Sequence, residues 1–392
     1  MGTPIPRTGS ARSRHSRRWE RFPAFLPARP PLGSAGQNGG SSKDRGEPVG
    51  LDRNTGTTVP AGTDQRLAAD RLSRPVAQVR LAPGRMKIAI VGTGAMGSVY
   101  AGLLGKAGHE VWAIDTWQEH IDGIATGGLT VSGASGSFVV DNLRVGTSPQ
   151  DAGVCDLWVI ATKAASVDDV AAAIAPLLEP DNVVMAFQNG LGAGERVARR
   201  IAPEHIVIGI AEGFGSSIPQ PGYVHHEGMR LIRIGEMFGG MTDRVRRIEQ
   251  AWHDAGFNVR AFSDVTLMIW EKFLCNVTLS APCAVFDVTV GELMADLDAW
   301  RVALGCTSEA YRLGLAKGIE FAFDDPLRYV SDFASTIPNA SPSMRLDHLA
   351  RRPSEIDVIN GQVVALSREL GLGAPYNETL CAIVRRREAG FV

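Results

Sequence analysis

Lys272 and Asn276 are the two residues whose types and spacing point most directly to chemistry. They are four positions apart in a largely apolar stretch, so in a helix they share one face. A lysine is seldom buried without a partner, so Lys272 either extends to the surface or faces a cleft as a working group. A desolvated ammonium with a lowered pKa is suited to donating a proton. The pair predicts a proton donor in a cleft; a surface lysine is the alternative.

A Gly-x-Gly-x-x-Gly motif follows a short apolar run rich in β-branched residues. In such a motif, the first glycine permits a tight turn, the second lets a pyrophosphate approach the backbone, and the third lets helix and strand pack closely. The free N–H groups and the dipole of the following helix hold the phosphates. A glycine-rich turn without a ligand is the alternative. The predicted phosphate-binding residues are Gly92, Thr93, Gly94, Ala95, Met96 and Gly97.

Polar residues follow several other predicted strands. Asp115 ends the apolar run at 110–115, where an acidic residue accepts hydrogen bonds from the ribose hydroxyls of a dinucleotide. Thr162 and Lys163 follow one later strand, and Gln188 and Asn189 follow the next. Because ligands of parallel sheets bind beyond the carboxyl ends of the strands, these positions are candidates for the site.

Glu355 is a further candidate acid, and the local sequence allows a second interpretation of it. Ser354 precedes it, and the predicted helix covers residues 355–370. Taken alone, this stretch favours a capping serine followed by an acid that interacts with the helix dipole.

Two predicted domains, one α/β and one all-helical, contain these candidate residues. Strands alternate with helices from residue 86 to 262, which predicts an α/β dinucleotide-binding domain with a Rossmann-type doubly wound sheet. Residues 213–228 and 230–236 are predicted to extend that sheet in antiparallel fashion. An all-helical C-terminal domain for substrate binding and dimerisation is predicted over 263–392, with the substrate in the cleft between the domains. Its predicted helices are 265–281, 299–318, 326–336, 343–350, 355–370 and 376–387.

Residues 1–85 differ from the rest in composition. They carry 15 Lys and Arg against 6 Asp and Glu, a charge of +9, and the whole chain has a net charge of −2, which leaves −11 for the remainder. Without apolar periodicity, this segment is predicted to be a disordered tail. We expect synthesis to start at Met86; an organelle leader is the alternative, and the acidic residues disfavour it. The acidic remainder argues against a nucleic-acid partner.

The cysteines and the hydropathy indicate a cytoplasmic protein. No apolar run is long enough to span a membrane, so no membrane association is predicted. No pair of cysteines has metal-ligand spacing, so no metal is predicted. The cysteines are interpreted as reduced packing residues, with a catalytic thiol as the alternative. They are Cys155, Cys275, Cys283, Cys306 and Cys381.

From residue 86 onward, the chain resembles the ketopantoate reductase family, the 2-dehydropantoate 2-reductases. The motifs occur in the family's order and at its spacing across nearly all of residues 86–392, and the resemblance does not include the tail. The matching positions are residues 92–97, 162–164, 188–190, 270–272 with Asn276, 343–344 with Asp347, 354–357 and 360–361.

The resemblance implies roles for residues around the substrate. Lys272 would be the general acid that protonates the ketone oxygen, and Asn276 would hold the substrate. Ser343 would bind the carboxylate side of the substrate, and Glu355 would hydrogen-bond its hydroxyl. The implied reaction is the reduction of 2-dehydropantoate to pantoate with hydride from a nicotinamide cofactor.

The resemblance also places residues around the cofactor. Asn189 would lie near the nicotinamide and the reacting centre, and Lys163 beside the adenosine ribose. Many relatives carry a basic residue just after the second strand and prefer NADPH, whereas this chain has Asp115 there. An aspartate repels a 2′-phosphate, so of NADH and NADPH we expect NADH to be the preferred cofactor.

Three positions depart from the family pattern. Ser280 stands where a second asparagine is common, and Ala340 stands where an asparagine often touches the substrate, with Asn339 adjacent as a substitute. Arg351 and Arg352 replace the usual Gly-Arg. The first two departures remove polar contacts expected for pantoate, so they bear on the substrate more than on the reaction.

The sequence therefore predicts an NAD(P)-dependent reductase of a small-molecule 2-oxo acid, with 2-dehydropantoate as the leading substrate and a homodimer as the implied assembly. One alternative is a dehydrogenase for another 2-hydroxy acid. The other is a regulator that binds the dinucleotide without turnover, which would need the glycine motif but neither Lys272 nor Glu355.

Overall fold

A computed structural model of the chain describes residues 84–391. The tail that is predicted to be disordered, residues 1–85, lies outside this range except for its last two residues. The predicted start of synthesis at Met86 concerns the same segment. The strands are β1 (Lys87–Val91), β2 (Glu110–Ile114), β3 (Leu129–Gly133), β4 (Phe138–Val140), β5 (Arg144–Gly146), β6 (Leu157–Ile160), β7 (Val183–Ala186), β8 (Ile206–Glu212), β9 (Gly215–Gln220), β10 (Tyr223–Gly228), β11 (Leu231–Glu236) and β12 (Val259–Ala261).

Helices lie between these strands and account for the regular structure after β12. The α-helices are α1 (Ala95–Lys106), α2 (Gln118–Gly127), α3 (Pro149–Ala152), α4 (Val167–Ile174), α5 (Ala193–Ala198), α6 (Asp243–Asp254), α7 (Thr266–Phe286), α8 (Val290–Ala295), α9 (Leu297–Ala316), α10 (Pro326–Ser335), α11 (Ser343–Leu349), α12 (Asn360–Glu369) and α13 (Pro375–Glu388).

An eight-stranded sheet forms the centre of the first part of the chain. Its strand order is β12-β11-β8-β7-β6-β1-β2-β5, and its strands are parallel except for β11 and β12, which run against the others. From β1 the chain moves outward to β2 on one side, and it later returns to place β6 on the other side of β1. This reversal creates a crevice at the carboxyl ends of β1 and β6, where doubly wound sheets bind ligands.

Both faces of the large sheet are buried. Along β1, Ile88 and Ile90 join one apolar cluster, while Ala89 and Val91 join the cluster on the opposite face. Alternate side chains of a strand point to opposite faces of the sheet. Other elements of the fold therefore pack against both faces. The predicted doubly wound α/β class is confirmed, followed by a helical region with its own apolar cluster.

The prediction for residues 213–228 was wrong. Strands β9 and β10 do not extend the large sheet; they form a second, four-stranded sheet with the order β4-β3-β10-β9. Only β11, from the predicted segment 230–236, joins the large sheet, next to β8. Local alternation of apolar residues identifies a strand without identifying its partner, and β10 pairs with β3, about ninety positions earlier in the chain.

Two helical boundaries also differ from the prediction. Helix α7 continues past residue 281 and through Pro282 to Phe286, because residues 277–284 are all buried and their packing outweighs the lost backbone hydrogen bond. The segment predicted as a helix over 355–370 is a short 3₁₀ turn, Ile356–Val358, followed by α12.

Candidate active site

The glycine motif lies at the crevice of the large sheet. Gly92 has φ of +95°, and a Cβ there would lie 2.5 Å from the backbone nitrogen of Thr162, at the end of β6. A Cβ at Gly97 would collide with the carbonyl oxygen of Gly92. These two glycines therefore allow the turn after β1 to pack against α1 and against the neighbouring strand.

The turn has the free space and the donors that a pyrophosphate requires. A Cβ at Gly94 would meet no atom within 4 Å, so this glycine leaves room for a ligand beside the backbone. Gly94 is also the N-cap of α1, and no side chain caps that helix. The hydroxyl of Thr93 points inward and donates to the carbonyl of Ile114 at 3.0 Å. Residues 92–97 thus fit a dinucleotide, which the helix N-terminus would hold through its backbone N–H groups.

Asp115 follows β2 on the same edge of the sheet. Its Oδ1 accepts a hydrogen bond from the backbone N–H of Trp117 at 3.0 Å, and its side chain is half-buried. Lys163 follows β6, but its Nζ donates to Asp347 Oδ2 at 2.6 Å and to the carbonyl of Pro353 at 3.1 Å. Lys163 is thus engaged by the helical region, and its predicted contact with the ribose stays a prediction.

Lys272 extends from α7 towards the sheet. Its Nζ donates to Asn189 Oδ1 at 2.9 Å and to the carbonyl oxygen of Ala211 at 2.8 Å. Burial lowers the pKa of Lys272 to about 8, although the charges of Glu212 and Glu355 act to raise it. The ammonium makes two hydrogen bonds and has a third proton, at a pKa suited to proton transfer near neutral pH.

Asn189 connects Lys272 to Glu355. Its Nδ2 donates to Glu355 Oε2 at 3.1 Å, while Glu355 Oε1 accepts from the backbone N–H of Ala164 at 3.2 Å. The interpretation of Glu355 as a first-turn acid capped by Ser354 was wrong, because the hydroxyl and backbone N–H of Ser354 both bond to Glu388 instead. Glu355 is directed towards the sheet, where three predicted site residues meet in one hydrogen-bonded chain.

A cavity of about 550 Å³ adjoins this chain of residues. Asn189, Lys272 and Asn276 lie on its wall, and Trp270 and Phe273 contribute apolar surface. Its volume is within the range of cavities that enclose small molecules. The wall thus combines a proton donor, amide groups and an aromatic lining.

Other predicted substrate contacts lie elsewhere. Ser343, the first residue of α11, is exposed and is not part of the cavity wall. Ala340 packs against the small apolar cluster around α8, and the neighbouring Asn339 is exposed. The structure therefore gathers Asn189, Lys272, Asn276 and Glu355 and leaves Ser343 apart.

Sequence reasoning missed three groups at this site. The backbone carbonyl of Ala211 could not be identified from the sequence, because every residue has a backbone carbonyl. Glu212 forms an ion pair with Arg233 at 2.8 Å next to that carbonyl. Its position at the carboxyl end of β8 is the signal that could have identified it. Arg196 also lies on the cavity wall, and no local motif marks it as a site residue.

The catalytic-thiol alternative finds no support in residues 84–391. The five cysteines are free and buried, and burial raises the pKa of Cys275, the one nearest Lys272 in sequence, to about 12. A thiol of that pKa is a poor nucleophile at neutral pH. Within the same range, no group of three or more histidine, cysteine or acidic side chains could hold a metal ion, and no helix has the length and apolarity to cross a bilayer.

Two family models and several known proteins match this chain. The family model for ketopantoate reductase PanE/ApbA matches residues 88–239, and the model for its C-terminal part matches residues 264–388. The chain is 29% identical to a 2-dehydropantoate 2-reductase of Streptococcus pyogenes serotype M6 over 306 residues, which cover 78% of this chain and 98% of that protein.

Solved structures include both a ketopantoate reductase and a dehydrogenase of different specificity. A PanE/ApbA family ketopantoate reductase from Ralstonia eutropha JMP134 superposes with a TM-score of 0.72 at 26% identity, covering 78% of this chain and 99% of that one. A D-mandelate dehydrogenase in complex with NADH and anilino(oxo)acetate has the same TM-score, identity and coverage. The chain belongs to the ketopantoate reductase PanE/ApbA family and is an NAD(P)-dependent 2-oxo acid reductase.

Proposed function

We propose that this protein reduces 2-dehydropantoate to pantoate, with Lys272 as the general acid. The observation that carries the proposal is the Lys272 ammonium on the cavity wall, held by Asn189 and the carbonyl of Ala211 and with a pKa lowered to about 8. Reduction of a ketone places negative charge on its oxygen, and a positioned ammonium neutralises that charge by transferring a proton.

The surrounding residues would orient the substrate for this transfer. Asn189 and Asn276 present amide groups on the same cavity wall, so they would hold the substrate's oxygens beside the ammonium. Glu355, through its bond to Asn189, would exchange that contact for the substrate's hydroxyl. When bound, the reduced dinucleotide supplies the hydride to the carbonyl carbon.

Residues 92–97 support a dinucleotide cofactor, and Asp115 supports NADH as the preferred one. One carboxylate oxygen of Asp115 binds the backbone of Trp117, which leaves the other available to a ribose hydroxyl. The same carboxylate would repel a 2′-phosphate. Lys163, which the family resemblance places beside that ribose, is engaged by Asp347.

A second candidate is the reduction of an aromatic 2-oxo acid. Trp270 and Phe273 line the cavity, and the two polar residues that pantoate would be expected to use are replaced by Ser280 and Ala340. The structural likeness to a D-mandelate dehydrogenase supports the same direction.

The discriminating experiment is the oxidation of NADH and NADPH with a panel of 2-oxo acids that includes 2-dehydropantoate, 2-oxoisovalerate and phenylglyoxylate. We expect the highest kcat/KM for 2-dehydropantoate. A higher value for phenylglyoxylate would favour the aromatic substrate, and a lack of turnover with every acid would refute both candidates.

A further inference from the structure

Glu212 and Arg233 form an ion pair at the end of β8, next to the group that holds Lys272. Arg233 lies directly opposite Ile210 in the antiparallel ladder of β8 and β11, and Glu212, two residues after Ile210, lies on the same face. Glu212 Oε1 is 2.8 Å from Arg233 Nε, and Oε2 accepts a hydrogen bond from Nη2 at 3.2 Å. Both side chains are only 20% exposed. The two strands thus hold a carboxylate and a guanidinium together where little water reaches them.

The peptide group between Ala211 and Glu212 connects this ion pair to Lys272. Its oxygen, the carbonyl oxygen of Ala211, accepts a hydrogen bond from Lys272 Nζ at 2.8 Å. The residue that carries the carboxylate therefore begins at the peptide group that the ammonium contacts. Coulomb interactions fall off only with the inverse of distance, so a carboxylate here acts on the ammonium without touching it. Burial lowers the pKa of Lys272, and Glu212 is the strongest of the charges that act to raise it again.

Other titratable groups around Lys272 come from its own helix and from two further segments. Glu355, just before the 3₁₀ turn Ile356–Val358, also acts to raise the pKa of Lys272. Cys275 is three residues further along α7, and burial raises the pKa of its thiol to about 12. Tyr329 of α10 contacts that thiol, and burial raises its pKa as well. Neither the thiol nor the phenol is charged near neutral pH, which leaves the carboxylates to act on the ammonium.

Arg233 opposes the acids on this side of Lys272. Besides pairing with Glu212, it acts on Glu271, the residue before Lys272 on α7. Burial raises the pKa of Glu271, while the charge of Arg233 acts to lower it. The guanidinium therefore reduces the negative potential that the neighbouring carboxylates impose on the ammonium.

We propose that Glu212 and Arg233 are positioning residues that set how readily Lys272 releases its proton. Glu212 stabilises the ammonium, and Arg233 cancels part of that effect. Without Glu212 the ammonium would lose its proton at a lower pH, and without Arg233 it would hold the proton more tightly and transfer it less readily. The inference rests on the proposed function, because it takes Lys272 as the general acid.

The test measures the pKa of Lys272 directly in variants of the pair. The chain has six lysines, so labelling lysine Cε with carbon-13 gives few NMR signals, and the signal absent from Lys272→Ala is that of Lys272. The free protein is titrated as wild type, Glu212→Gln and Arg233→Met. Glu212→Asp and Arg233→Lys keep the two charges and serve as conservative variants. The pH dependence of kcat/KM for 2-oxo acid reduction is recorded in parallel.

Glu110→Gln and Arg144→Met are the matched controls. This ion pair, at 3.3 Å, joins β2 and β5 of the same sheet, and its carboxylate is 22% exposed. Arg144 lies over the ring of Trp112, as Arg233 lies over the ring of Phe262. Glu110 is the first residue of its strand, so the control pair lies at the amino edge of the sheet, opposite the edge that carries the site.

We expect the pKa of Lys272 to fall by about half a unit or more in Glu212→Gln and to rise by a similar amount in Arg233→Met. The kinetic inflection should move with it in both variants. The conservative variants and the two controls should stay near wild type. If Glu212→Gln does not fold, Arg233→Met compared with Arg233→Lys carries the test.

An unchanged pKa of Lys272 in both Glu212→Gln and Arg233→Met, shifts in the same direction, or an equal shift in Glu110→Gln would overturn the proposal. The proposed function can fail separately. If the NMR titrations shift in opposite directions as expected but wild type reduces no 2-oxo acid, or the kinetic inflection does not follow, Lys272 is not the general acid of this reaction and the role of the ion pair stands.

Discussion

At the scale of single residues, the function depends on how the fold treats one lysine. The ammonium group of Lys272 is buried, and it donates hydrogen bonds to the amide oxygen of Asn189 and the backbone carbonyl of Ala211. Neither partner carries a full charge, so these hydrogen bonds offset only part of the cost of removing the ammonium from water. The pKa of Lys272 therefore falls to about 8. A direct ion pair with a carboxylate would have raised the pKa and made the lysine a weaker acid.

This pKa makes the reduction pH-dependent in a specific direction. The ammonium form, present below the pKa, is the one that can donate a proton. We expect kcat/KM for 2-oxo acid reduction to fall about tenfold per pH unit above about pH 8. In Lys272→Ala the rate should be lower by about a hundred- to ten-thousand-fold, with this inflection lost. An inflection near pH 8 that persists in the variant would assign it to another group.

Asp115 is the residue expected to select between the cofactors. Two negative groups a few Å apart near a surface repel by a few kcal/mol before screening, and about 1.4 kcal/mol already gives a tenfold preference. Wild type should therefore have the higher kcat/KM with NADH, and Asp115→Asn should shift the ratio towards NADPH. A wild-type preference for NADPH that Asp115→Asn leaves unchanged would show that Asp115 does not contact the ribose.

At the scale of elements, the strand–turn–helix unit of β1 and α1 separates a folding glycine from a binding glycine. A side chain at Gly97 would strike the carbonyl of Gly92, whereas one at Gly94 would meet only open space. Gly97 is therefore needed for the fold, and Gly94 for the ligand.

This difference predicts opposite effects for two similar substitutions. Gly94→Ala should leave the melting temperature nearly unchanged but weaken NADH binding at least about tenfold, because its methyl group occupies the space for the pyrophosphate. Gly97→Ala should lower the melting temperature, because backbone has to shift. Calorimetric unfolding and NADH titration of both variants provide the measurement. Normal NADH affinity in Gly94→Ala would mean that the dinucleotide does not approach the turn there.

At the scale of the whole molecule, polar contacts join the sheet to the helices around the site. Lys163, after β6, pairs at 2.6 Å with Asp347 of α11, whose side chain is only 9% exposed. Arg352 shares Asp347 at 3.3 Å. Together with the bond between Asn189 and Glu355, these contacts hold the helical region against the carboxyl edge of the sheet.

Asp347→Asn tests both the contact between the sheet and the helical region and the cofactor preference. The variant leaves Lys163 and Arg352 without their anion, but both side chains are at least half exposed and stay hydrated, so we expect the free energy of unfolding to fall by about 1 kcal/mol or less. The released Lys163 becomes available to a 2′-phosphate, so kcat/KM with NADPH should rise relative to NADH. Chemical denaturation and cofactor kinetics measure the two effects. Asp298→Asn is the control, because its pair with Arg301 is exposed. An unchanged cofactor ratio would place Lys163 away from the ribose.

The sequence by itself determined the features that depend on neighbours along the chain. The glycine turn follows from spacing and helix geometry, and Lys272 and Asn276 share a face because four residues complete about one helical turn. The alternation of strands and helices sufficed for the doubly wound class, and motif order sufficed for the family. Each of these signals is local or periodic, so it can be read without knowing which segments meet.

Tertiary structure alone decided which distant groups share the site. Asn189 and Glu355 are 166 positions apart, and no local pattern states that their side chains bond. The lowered pKa of Lys272 arises from burial by several elements at once. The pairing of β10 with β3 likewise depended on the packing of the second sheet. Burial and long-range pairing are set by how all the faces pack together, so the chemical character of these residues appears only in the folded chain.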